Sequence, residues 1–550
     1  MGYSPNVHAL PAVRPSLMRI LEAWLTARIH VDAFRFDPRA YLTAAKWWVR
    51  RRRVRARGQF APLLSRSPKS YALWVLRQAR DQRGGGSPPA DPPIVALVDV
   101  RHDAHARAIA ATRASLATEH VVMLLVGSTE TPTLASAIAR IDWNTSPWLL
   151  LMRAGDRLAP GAAAAYRAAM GEGATRLLYA DDDLLDGNTR RHAYFKPDWN
   201  PELFCHHDFL SGACLLHARR AELAAVADEA DWIERLTAKL AGEGTPRHLP
   251  LMLHHRRWRP APRLPAAPLD LAAMLPPLSV IVPTRNRIDL LRVCLDGLVA
   301  TDYPDMEVIV VDNDSDDPET LAYLEGLERA PGPRRRLLRH AGPFNYSAIN
   351  NRAVAAAHGR LLCLLNNDIE VIEPGWLSTL ATQALRPDVG AVGARLLYPD
   401  GRIQHAGVVV GVGHAAGHAH RFLHPAAEGY FHRHSLPQFV TAVTAACLVV
   451  ARDRFLSAGG LNEIDFPVAF NDVDLCLRLN QRGWQSLYEP RATLIHHESV
   501  SRGLDQDPVS AARFAGELAA LQHLWRTHER IDPYHHPALT HASEQFAVAI

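Results

Sequence analysis

The stretch that decides the fold is Leu278-Ser279-Val280-Ile281-Val282-Pro283-Thr284-Arg285-Asn286-Arg287. It opens with an apolar run rich in β-branched residues, which is typical of a strand buried on both faces of a sheet. Similar runs follow at Val308 to Val311, Leu361 to Leu365 and Ala391 to Leu397, with helical segments between them. Strands that alternate with helices predict an α/β domain with a mostly parallel sheet covered on both faces.

Polar residues follow three of these strands at the point where each apolar run ends. They read Pro283-Thr284-Arg285-Asn286-Arg287, Asp312-Asn313-Asp314-Ser315 and Asn366-Asn367-Asp368. Taken singly, each is explained as a loop cap, since Asp and Asn favour turns. Ligand sites of open α/β sheets gather at the carboxyl ends of strands, so three polar ends together predict a functional site.

The residue types at this edge suit a nucleotide sugar. A base and ribose need side-chain acceptors and donors, and these are offered by Asp312, Asn313 or Asp314. A diphosphate needs cationic help because the leaving group gains negative charge as the sugar bond breaks. Asp368 with Asn366 can hold Mg²⁺ or Mn²⁺ through oxygen ligands. Further phosphate contacts are expected from two cations, Arg285 and Arg287.

A helix start further along the chain supplies a carboxylate for proton transfer. The segment Phe470-Asn471-Asp472-Val473-Asp474-Leu475 opens a predicted helix in which Asn471 is the expected cap. Asp472 then lies in the first turn, where the helix dipole favours the ionised form. An ionised carboxylate there can take a proton from an acceptor hydroxyl. The alternative is that Asp472 and Asp474 only decorate the helix start.

Histidines raise two further hypotheses about metals. The last predicted strand, Thr493 to Ile495, ends at His496-His497-Glu498-Ser499, and a histidine arriving beside Asp368 is a candidate metal ligand. With 28 histidines in the chain and no cysteine nearby, we expect no zinc site in a second group, which comprises His405, His414, His418, His420 and His424.

The same order of strands occurs earlier in the chain, which predicts a duplicated α/β domain. The earlier apolar runs are Ile94 to Val98, Val121 to Val126, Trp148 to Met152 and Leu177 to Ala180. Composition places boundaries at Gly84-Gly85-Gly86-Ser87-Pro88-Pro89 and in the Pro-rich stretch Pro260 to Pro277. We therefore expect a helical, basic N-terminal segment and linker (1–90), a first domain (91–260), a second domain (276–505) and a helical tail (506–550).

The bulk composition is that of a soluble globular protein, with 48% apolar and 21% charged residues. The sequence has no apolar run long enough to span a membrane, and Met1 to Arg19 lacks the apolar core of a secretory signal. Its cysteines form no CxxC motif, so we expect reduced thiols in a cytoplasmic protein. These are Cys205, Cys214, Cys294, Cys363, Cys447 and Cys476.

Cationic charge is concentrated near the start of the chain. Residues 46–57 combine Lys46-Trp47-Trp48 with Arg50 to Arg53, Arg55 and Arg57. Tryptophans beside arginines suit peripheral contact with an anionic membrane at the inner face of the plasma membrane. A solvated basic linker is the alternative interpretation. Nucleic-acid binding is not expected, because no aromatic-lined basic surface follows the block.

Over its predicted second domain the chain resembles glycosyltransferase family 2, the inverting enzymes with a GT-A fold. The resemblance covers about Leu278 to Gly503 and rests on five motifs in the family's order. They are Ser279-Val280-Ile281-Val282-Pro283-Thr284-Arg285-Asn286, Val310-Val311-Asp312-Asn313-Asp314-Ser315, Leu365-Asn366-Asn367-Asp368, Thr444-Ala445-Ala446-Cys447 and Asn471-Asp472-Val473-Asp474.

The resemblance implies roles for particular residues. Asp368 would be the metal-binding end of the family's DxD motif, Asp472 the general base, and His496 (less so His497) a metal ligand. The nucleotide sugar would be held by Pro283, Thr284, Arg285, Arg287, Asp312, Asn313, Asp314, Asn366 and Asn367. The DxD motif reads Asn-Asn-Asp here, so one carboxylate is missing. The Glu-Asp expected before the catalytic helix reads Asn-Asp, which keeps the presumed base.

The resemblance also implies a reaction and its partners. The donor would be a nucleoside-diphosphate sugar, and the acceptor a growing lipid-linked or cell-surface glycan such as O-antigen. The sugar bond would be displaced in one step with inversion, aided by Mg²⁺ or Mn²⁺. Two alternatives stay open: a non-catalytic module that binds sugar nucleotide or glycan, and a nucleotidyltransferase. The second would want a Gly-rich phosphate loop, which Pro283-Thr284-Arg285-Asn286 is not.

The first half looks like a degenerate copy of the same fold, so the fold class is two tandem GT-A, Rossmann-like domains with a helical N-terminal segment and a C-terminal helix. Arg153-Ala154-Gly155-Asp156 occupies the DxD position, and Asp181-Asp182-Asp183 follows Ala180. The segment Tyr194 to Pro201 resembles bacterial cell-surface polysaccharide transferases with two such domains. No counterpart of the Asp472 helix start is evident, which favours a non-catalytic first domain over a second transferase that uses Asp156 or the three aspartates.

Overall fold

The structure is a computed structural model that describes residues 15–81, 92–101, 105–171, 175–187, 189–497 and 507–550. Three sequence expectations lie outside these residues: the absence of a signal before residue 15, the linker from Gly84 to Pro89, and the end of the second domain at Glu498 to 505. Among the described residues, no helix has both the length and the apolar composition needed to cross a bilayer.

Helices alone make up the N-terminal module, which we define as residues 15–81. They are α1 (Pro15–Phe36), α2 (Pro38–Val49), α3 (Arg53–Ser65) and α4 (Ser70–Asp81). The second helix starts where it does because the Asp37 carboxylate accepts from the Ala40 N–H at 2.9 Å and Pro38 takes the first helical position. Helix α4 attaches the module to the first domain, where the ring of Trp74 packs on Phe195.

The first domain is a twisted sheet with helices on both sides. Its elements are β1 (Ile94–Asp99), α5 (Ala106–Thr118), β2 (Val122–Val126), α6 (Leu134–Ile138), β3 (Trp148–Arg153), β4 (Arg157–Leu158), α7 (Ala162–Met170), β5 (Leu177–Asp186), β6 (Thr189–Tyr194), α8 (Pro201–His206), β7 (Cys214–Leu216), α9 (Arg220–Ala224), α10 (Trp232–Gly242) and β8 (Arg247–Arg256). The strand order is β2-β1-β3-β7-β5-β8-β4, with β6 paired to β5.

The second domain contains a larger sheet. Its elements are β9 (Leu278–Thr284), α11 (Ile288–Val299), β10 (Met306–Asp312), α12 (Pro318–Gly326), β11 (Arg334–Arg339), α13 (Tyr346–Ala356), β12 (Leu361–Leu365), β13 (Ile369–Val371), α14 (Trp376–Ala384), β14 (Val389–Leu397), β15 (Ile403–His405), β16 (Val408–Val410), β17 (Ala416–His418), β18 (Gln438–Val440), β19 (Cys447–Ala451), α15 (Arg452–Ser457), α16 (Asn471–Gln481) and β20 (Gln485–His496). The order is β11-β10-β9-β12-β19-β14-β20-β13, with β15 on β14 and β18 on β20.

The two sheets repeat one another strand for strand. The path β10-β9-β12-β19-β14-β20-β13 matches the first sheet in order, and each neighbouring pair has the same parallel or antiparallel sense. The β5–β6 pair also matches the β14–β15 pair. The predicted fold class, two tandem α/β domains of one kind with a helical start and a C-terminal helix, is confirmed.

Three details differ from the sequence expectations. Strand β5 does not end at Ala180 but runs to Asp186, because buried cations pair with its aspartates. Asn471 is not the cap of α16: Phe470 holds that position, and the Asn471 amide donates to the Val468 carbonyl at 2.7 Å. The tail is helical only over α17 (Pro508–Trp525), and prolines at 533 and 537, which lack an N–H, oppose a helix beyond it.

Residues 526–550, which we call the C-terminal strap, touch every part of the molecule. The Asp532 carboxylate accepts from the Val410 N–H of the second domain at 2.8 Å. The Pro533 carbonyl accepts from the Asp198 N–H of the first domain, also at 2.8 Å. Ile550 packs on the small core of the N-terminal module, formed by Leu25, Ile29 and Leu73. The strap therefore holds the three parts in one arrangement.

Candidate active site

The three polar strand ends of the second domain meet at one edge of its sheet. Strand β9 pairs in parallel with both β10 and β12, so their carboxyl ends lie side by side. Thr284 links the three: its hydroxyl accepts from the Asn367 amide at 3.1 Å, and its carbonyl accepts from the Asn313 N–H at 2.9 Å. Pro283, the residue before it, is buried within β9.

The loop after β10 is held in place by the loop after β11. The Asp312 carboxylate accepts from Ser315 and pairs with Arg339, a residue that the sequence interpretation did not identify. The Asn313 amide donates to the carbonyls of His340 and Gly342, each at 3.0 Å, while no residue that the structure describes donates to its buried side-chain oxygen. This oxygen is an acceptor that a ligand could use.

Of the two arginines after β9, one is exposed and the other is partly buried. Arg285 is exposed. Arg287 pairs with Asp289 at 2.6 Å, and this hydrogen bond raises the pKa of the guanidinium. The negative charge of Asp368 contributes to the same shift, which places Arg287 within electrostatic reach of that carboxylate.

Asp368 and His496 form the centre of the site. The β13–β20 ladder pairs Ile369 with His496, which brings the imidazole Nε2 to 3.1 Å from the Asp368 carboxylate. Both side chains are buried. The His496 Nδ1 lies 2.6 Å from the side-chain oxygen of Gln404, so Nδ1 donates its hydrogen there and Nε2 is the nitrogen on the side of Asp368.

This donor set fits a divalent cation. A carboxylate oxygen and an imidazole lone pair at hydrogen-bond distance repel one another unless a proton or a cation lies between them. Gln404 fixes the ring as outer partners of metal ligands do. The Asn366 amide lies 3.3 Å from the same Nε2 and adds a carboxamide to the site. His497 turns away to Glu370, at 2.9 Å, so the structure favours His496 of the two histidines.

Asp472 is connected to this centre through a short backbone segment. Its half-buried carboxylate accepts from the Ala445 N–H at 3.0 Å, and the next residue, Ala446, accepts from the Asn366 N–H at 3.0 Å. The Tyr346 hydroxyl donates to the Ala445 carbonyl, and burial, then the charge of Asp472 and more weakly that of Asp368, raise the pKa of Tyr346. The carboxylates of Asp472 and Asp368 therefore both raise the pKa of the Tyr346 hydroxyl.

Helix α17 fixes the start of α16, the helix that carries Asp472. The buried Glu517 carboxylate accepts from the N–H groups of Val468 and Ala469, at 2.7 and 2.9 Å. The Trp525 indole donates to Asp474 at 3.0 Å, and Asp474 pairs with Arg478 at 2.7 Å. Asp474 is therefore occupied by structural contacts, whereas Asp472 is the carboxylate on the side of Asn366.

In the first domain the residues at the equivalent positions bond to other groups of the same domain. The β4–β8 ladder pairs Arg157 with His255 as β13–β20 pairs Ile369 with His496, so Asp156 is the counterpart of Asp368. Asp156 is buried, which raises the pKa of its carboxyl, and it accepts from the N–H groups of Arg153 and Arg257. His255 bonds to Asp183 at 2.8 Å instead.

The three consecutive aspartates of β5 are all engaged by side chains of this chain. Asp182 lies among three cations: Lys196 at 2.8 Å, Arg259 at 3.0 Å and Arg256 at 3.5 Å. Burial alone would raise the pKa of Asp182, but these cations hold it well below its usual range. Asp183 pairs with Arg190 and His255, and Asp181 contacts His248 and His536.

Asp181, His248 and His536 form a group whose atoms are close enough to hold a metal ion, but their contacts favour hydrogen bonding. The Nδ1 of His536 accepts from the Ala538 N–H at 2.9 Å, so the hydrogen of the ring is on Nε2, which lies 2.8 Å from the Asp181 carboxylate. Both nitrogens of His248 face carboxylates, those of Asp181 and Asp198, each at 3.1 Å. The group joins the first domain to the C-terminal strap.

Comparison with known proteins identifies the second domain. Residues 279–407 match the model of the family described as "Glycosyl transferase family 2". The chain is 38% identical over 426 residues to an uncharacterized protein of Sinorhizobium fredii, y4gI, an alignment that covers 68% of this chain and 46% of that one. It is 37% identical over 418 residues to the O-antigen biosynthesis protein RfbC of Myxococcus xanthus, covering 66% of this chain and 31% of that one.

A third relative is the N-acetylglucosaminyl-diphospho-decaprenol L-rhamnosyltransferase of Mycobacterium tuberculosis, 29% identical over 232 residues, which are 38% of this chain and 72% of that one. The chain spans less than half the length of the first two relatives. The resemblance drawn from the five motifs is confirmed for the second domain, which contains a family 2 glycosyltransferase domain over residues 279–407.

Proposed function

We propose that the second domain transfers a sugar from a nucleoside-diphosphate donor to a hydroxyl of a growing cell-surface glycan, with inversion at the anomeric carbon. The observation that carries the proposal is the connection between Asp472 and the Asp368–His496 centre through Ala445 and Ala446. This connection supports a base for the acceptor and a cation-binding centre for the donor's diphosphate within one site.

The donor would lie across the ends of β9, β10 and β12. Thr284, Asp314 and the unsatisfied oxygen of Asn313 offer acceptors and donors to a nucleoside. The exposed Arg285 and the partly buried Arg287 lie beside them for the diphosphate. Asp368 and His496, with Asn366 nearby, would hold Mg²⁺ or Mn²⁺, which when bound neutralises charge that develops on the leaving diphosphate.

The proposed chemistry is a single displacement. The acceptor oxygen attacks the anomeric carbon while the bond from that carbon to the diphosphate oxygen breaks. Asp472 takes the hydroxyl proton, and the nucleoside diphosphate leaves with the electron pair. Attack from the face opposite the leaving group inverts the configuration. The Ala445 N–H binds one carboxylate oxygen of Asp472 and the Val473 N–H binds the other, at 3.0 and 2.8 Å, so the carboxylate is held in place while each oxygen keeps a further lone pair for the acceptor proton.

The acceptor class is inferred from the relatives. One is named for O-antigen biosynthesis and another for transfer to a diphospho-decaprenol-linked sugar. We propose a lipid-linked glycan as acceptor, used at the cytoplasmic face of the plasma membrane, with peripheral contact through residues 46–57. The first domain is proposed to be non-catalytic, because its Asp156 and Asp181 to Asp183 are engaged internally.

A donor panel tests this proposal. The protein is incubated with individual nucleotide sugars and Mn²⁺ or Mg²⁺, and the released nucleotide is identified by chromatography. We expect one donor to give nucleoside diphosphate, with more release when lipid-linked glycan is added. Release of pyrophosphate would instead identify a nucleotidyltransferase, and binding of a donor without release would identify a non-catalytic module.

A further inference from the structure

The N-terminal module has an extreme charge. From residue 38 to residue 80 the sequence contains twelve lysines and arginines and no aspartate or glutamate, although the whole chain has a net charge of only +4. The arginines at 50–53, 55 and 57 are exposed. Within the part of the chain that the structure describes, none of these six pairs with a carboxylate; the module's ion pairs are Lys69–Asp32 and Arg77–Glu22. A surface with this positive charge favours binding to an anionic partner.

Helix α1 carries an apolar stripe that faces solvent. One side of the helix packs inward through Leu25, Ile29 and Ala33. The other side exposes large apolar residues at helical spacing: Leu17, Ile20, Leu21, Trp24, Val31 and Phe34. Since a helix that is apolar on both sides is normally buried on both, the exposed stripe needs an apolar surface to cover it.

A cavity of about 630 Å³ lies between helices α1 to α3 and the C-terminal strap. Its walls are mainly apolar and include Tyr41, Trp48, Phe60, Leu64 and Val548. The volume is in the range of about 300–1,000 Å³ that small-molecule sites occupy. It is large enough for a flexible apolar chain.

Direct contacts join the stripe, the cavity and the cations into one surface. Phe34, at one end of the stripe, has its ring 5.7 Å from that of Tyr41 in the cavity wall. Trp48 lines the cavity and is 44% exposed, and the guanidinium of Arg53 lies 3.9 Å from its ring centre. A ligand with an apolar chain in the cavity would therefore place its head group among the arginines.

We propose that this surface binds an anionic lipid bilayer and that the cavity takes one acyl chain of an anionic phospholipid. A phosphate-bearing head group satisfies the arginines, and the bilayer interface covers the stripe of α1. A second copy of the chain would bring a like-charged surface against this one. Nucleic acid would satisfy the charge but leave the stripe and the cavity uncovered. The proposal extends the membrane contact proposed above for residues 46–57, but it concerns binding alone, so its tests do not depend on sugar transfer.

Flotation with vesicles tests the charge. The full chain is mixed with vesicles of phosphatidylglycerol and phosphatidylcholine, or of phosphatidylcholine alone, at physiological salt. We expect binding only to the anionic vesicles, weakened about a hundredfold when Arg51, Arg52 and Arg53 are changed to Gln. The matched control changes three exposed arginines elsewhere, Arg107, Arg220 and Arg329, to Gln and should bind as the wild type does. Equal loss in the control, or equal binding to both vesicles, would overturn the proposal.

Brominated acyl chains test the cavity. Phosphatidylglycerol with bromine on its acyl chain should quench Trp48, measured as the difference between the wild type and Trp48→Phe. Ala61→Phe, which fills the cavity from its wall, should abolish this difference while the thermal midpoint and the flotation with anionic vesicles are largely kept. Undiminished quenching in Ala61→Phe would show that no chain enters. Self-association without lipid, abolished by Ile20→Ser, would assign the stripe to a contact between copies instead.

Discussion

Asn200 of the first domain and Phe439 of the second form a reciprocal pair of hydrogen bonds. The Asn200 amide donates to the Phe439 carbonyl at 2.9 Å, and its oxygen accepts from the Phe439 N–H at 3.1 Å. The same oxygen caps helix α8 by accepting from the Leu203 N–H. The fully buried side chain of Asn200 thus bonds to the backbone of β18 as a neighbouring strand would.

Replacing Asn200 by Ala should therefore loosen the two domains from each other. The change leaves buried N–H and C=O groups of Phe439 without partners, so we expect the free energy of unfolding to fall by about 2–4 kcal/mol. Chemical denaturation measures this, with Asn144→Ala, at an exposed position, as the control. An unchanged denaturation midpoint would show that the pair does not hold the domains together.

Asp472 and Asp474 lie two residues apart on α16, and their substitution should have different effects: one on the transfer rate and the other on thermal stability. Asp472→Asn keeps an acceptor for the Ala445 N–H but cannot take a proton, so we expect the transfer rate to fall by about 10²–10⁴-fold with little change in thermal midpoint. Asp474→Asn weakens the contacts to Arg478 and Trp525 and should lower the midpoint while transfer at low temperature persists. Full activity of Asp472→Asn would contradict its role as base.

Gln404 is expected to act on metal affinity through His496. Because it holds the imidazole hydrogen on Nδ1, Gln404→Leu should weaken Mn²⁺ binding by about 10–100-fold. Electron paramagnetic resonance of free Mn²⁺ measures this without any donor sugar. Asp368→Ala and His496→Ala should bind still less, whereas His497→Ala, whose side chain pairs with Glu370, should bind as the wild type does. Wild-type affinity in His496→Ala would remove it from the ligand set.

The contacts of His248 predict a dependence of stability on pH. Burial would lower its pKa, but hydrogen bonds to Asp181 and Asp198 outweigh this and raise it. The stabilisation from a raised histidine pKa is fully present below the unfolded value, about 6.5, and is lost as the pH rises through the folded value. His248→Gln should therefore lower the thermal midpoint more at about pH 6 than at about pH 9.

The control for that prediction is His358→Gln, an exposed histidine, whose effect should be small at both pH values. The partner Asp181 has the opposite sign: its pKa is lowered, because charges and hydrogen bonds from His536 and His248 outweigh burial. Its stabilisation is therefore lost only as the pH falls below about 4. A His248→Gln defect that is equal at both pH values would show that the ring is not held protonated.

The sequence alone was enough for the sheet and for the edge that carries the site, because strand periodicity and polar strand ends are local signals. It also predicted Asp368 beside His496, since Asp368 follows β12 and His496 ends β20 of the same sheet. Arg339 and Gln404 could not be found in this way: each reaches the site from a neighbouring strand or its turn, β11 and β15, and no spacing marks them. Asn471 was misassigned as a cap because an aspartate or asparagine before a helix is usually one.

The aspartates of β5 show a second reason why the sequence did not predict every contact in the structure. In sequence, Asp181-Asp182-Asp183 has the composition of a ligand site, and only tertiary contacts reveal that Lys196, Arg256 and Arg259 neutralise the middle residue. Burial of a carboxylate depends on which cations the rest of the chain brings to it, and those lie in a different strand and loop. Composition could not distinguish a cluster open to ligand from one filled by its own protein.

The C-terminal strap also sets an order of events during synthesis. The first domain leaves the ribosome before the C-terminal strap, which carries His536, the partner of Asp181, and Pro533, which binds Asp198. Domains generally fold as they emerge, so the nascent first domain must wait with these buried carboxylates incompletely partnered. We expect it to reach its final form only after the strap has been translated.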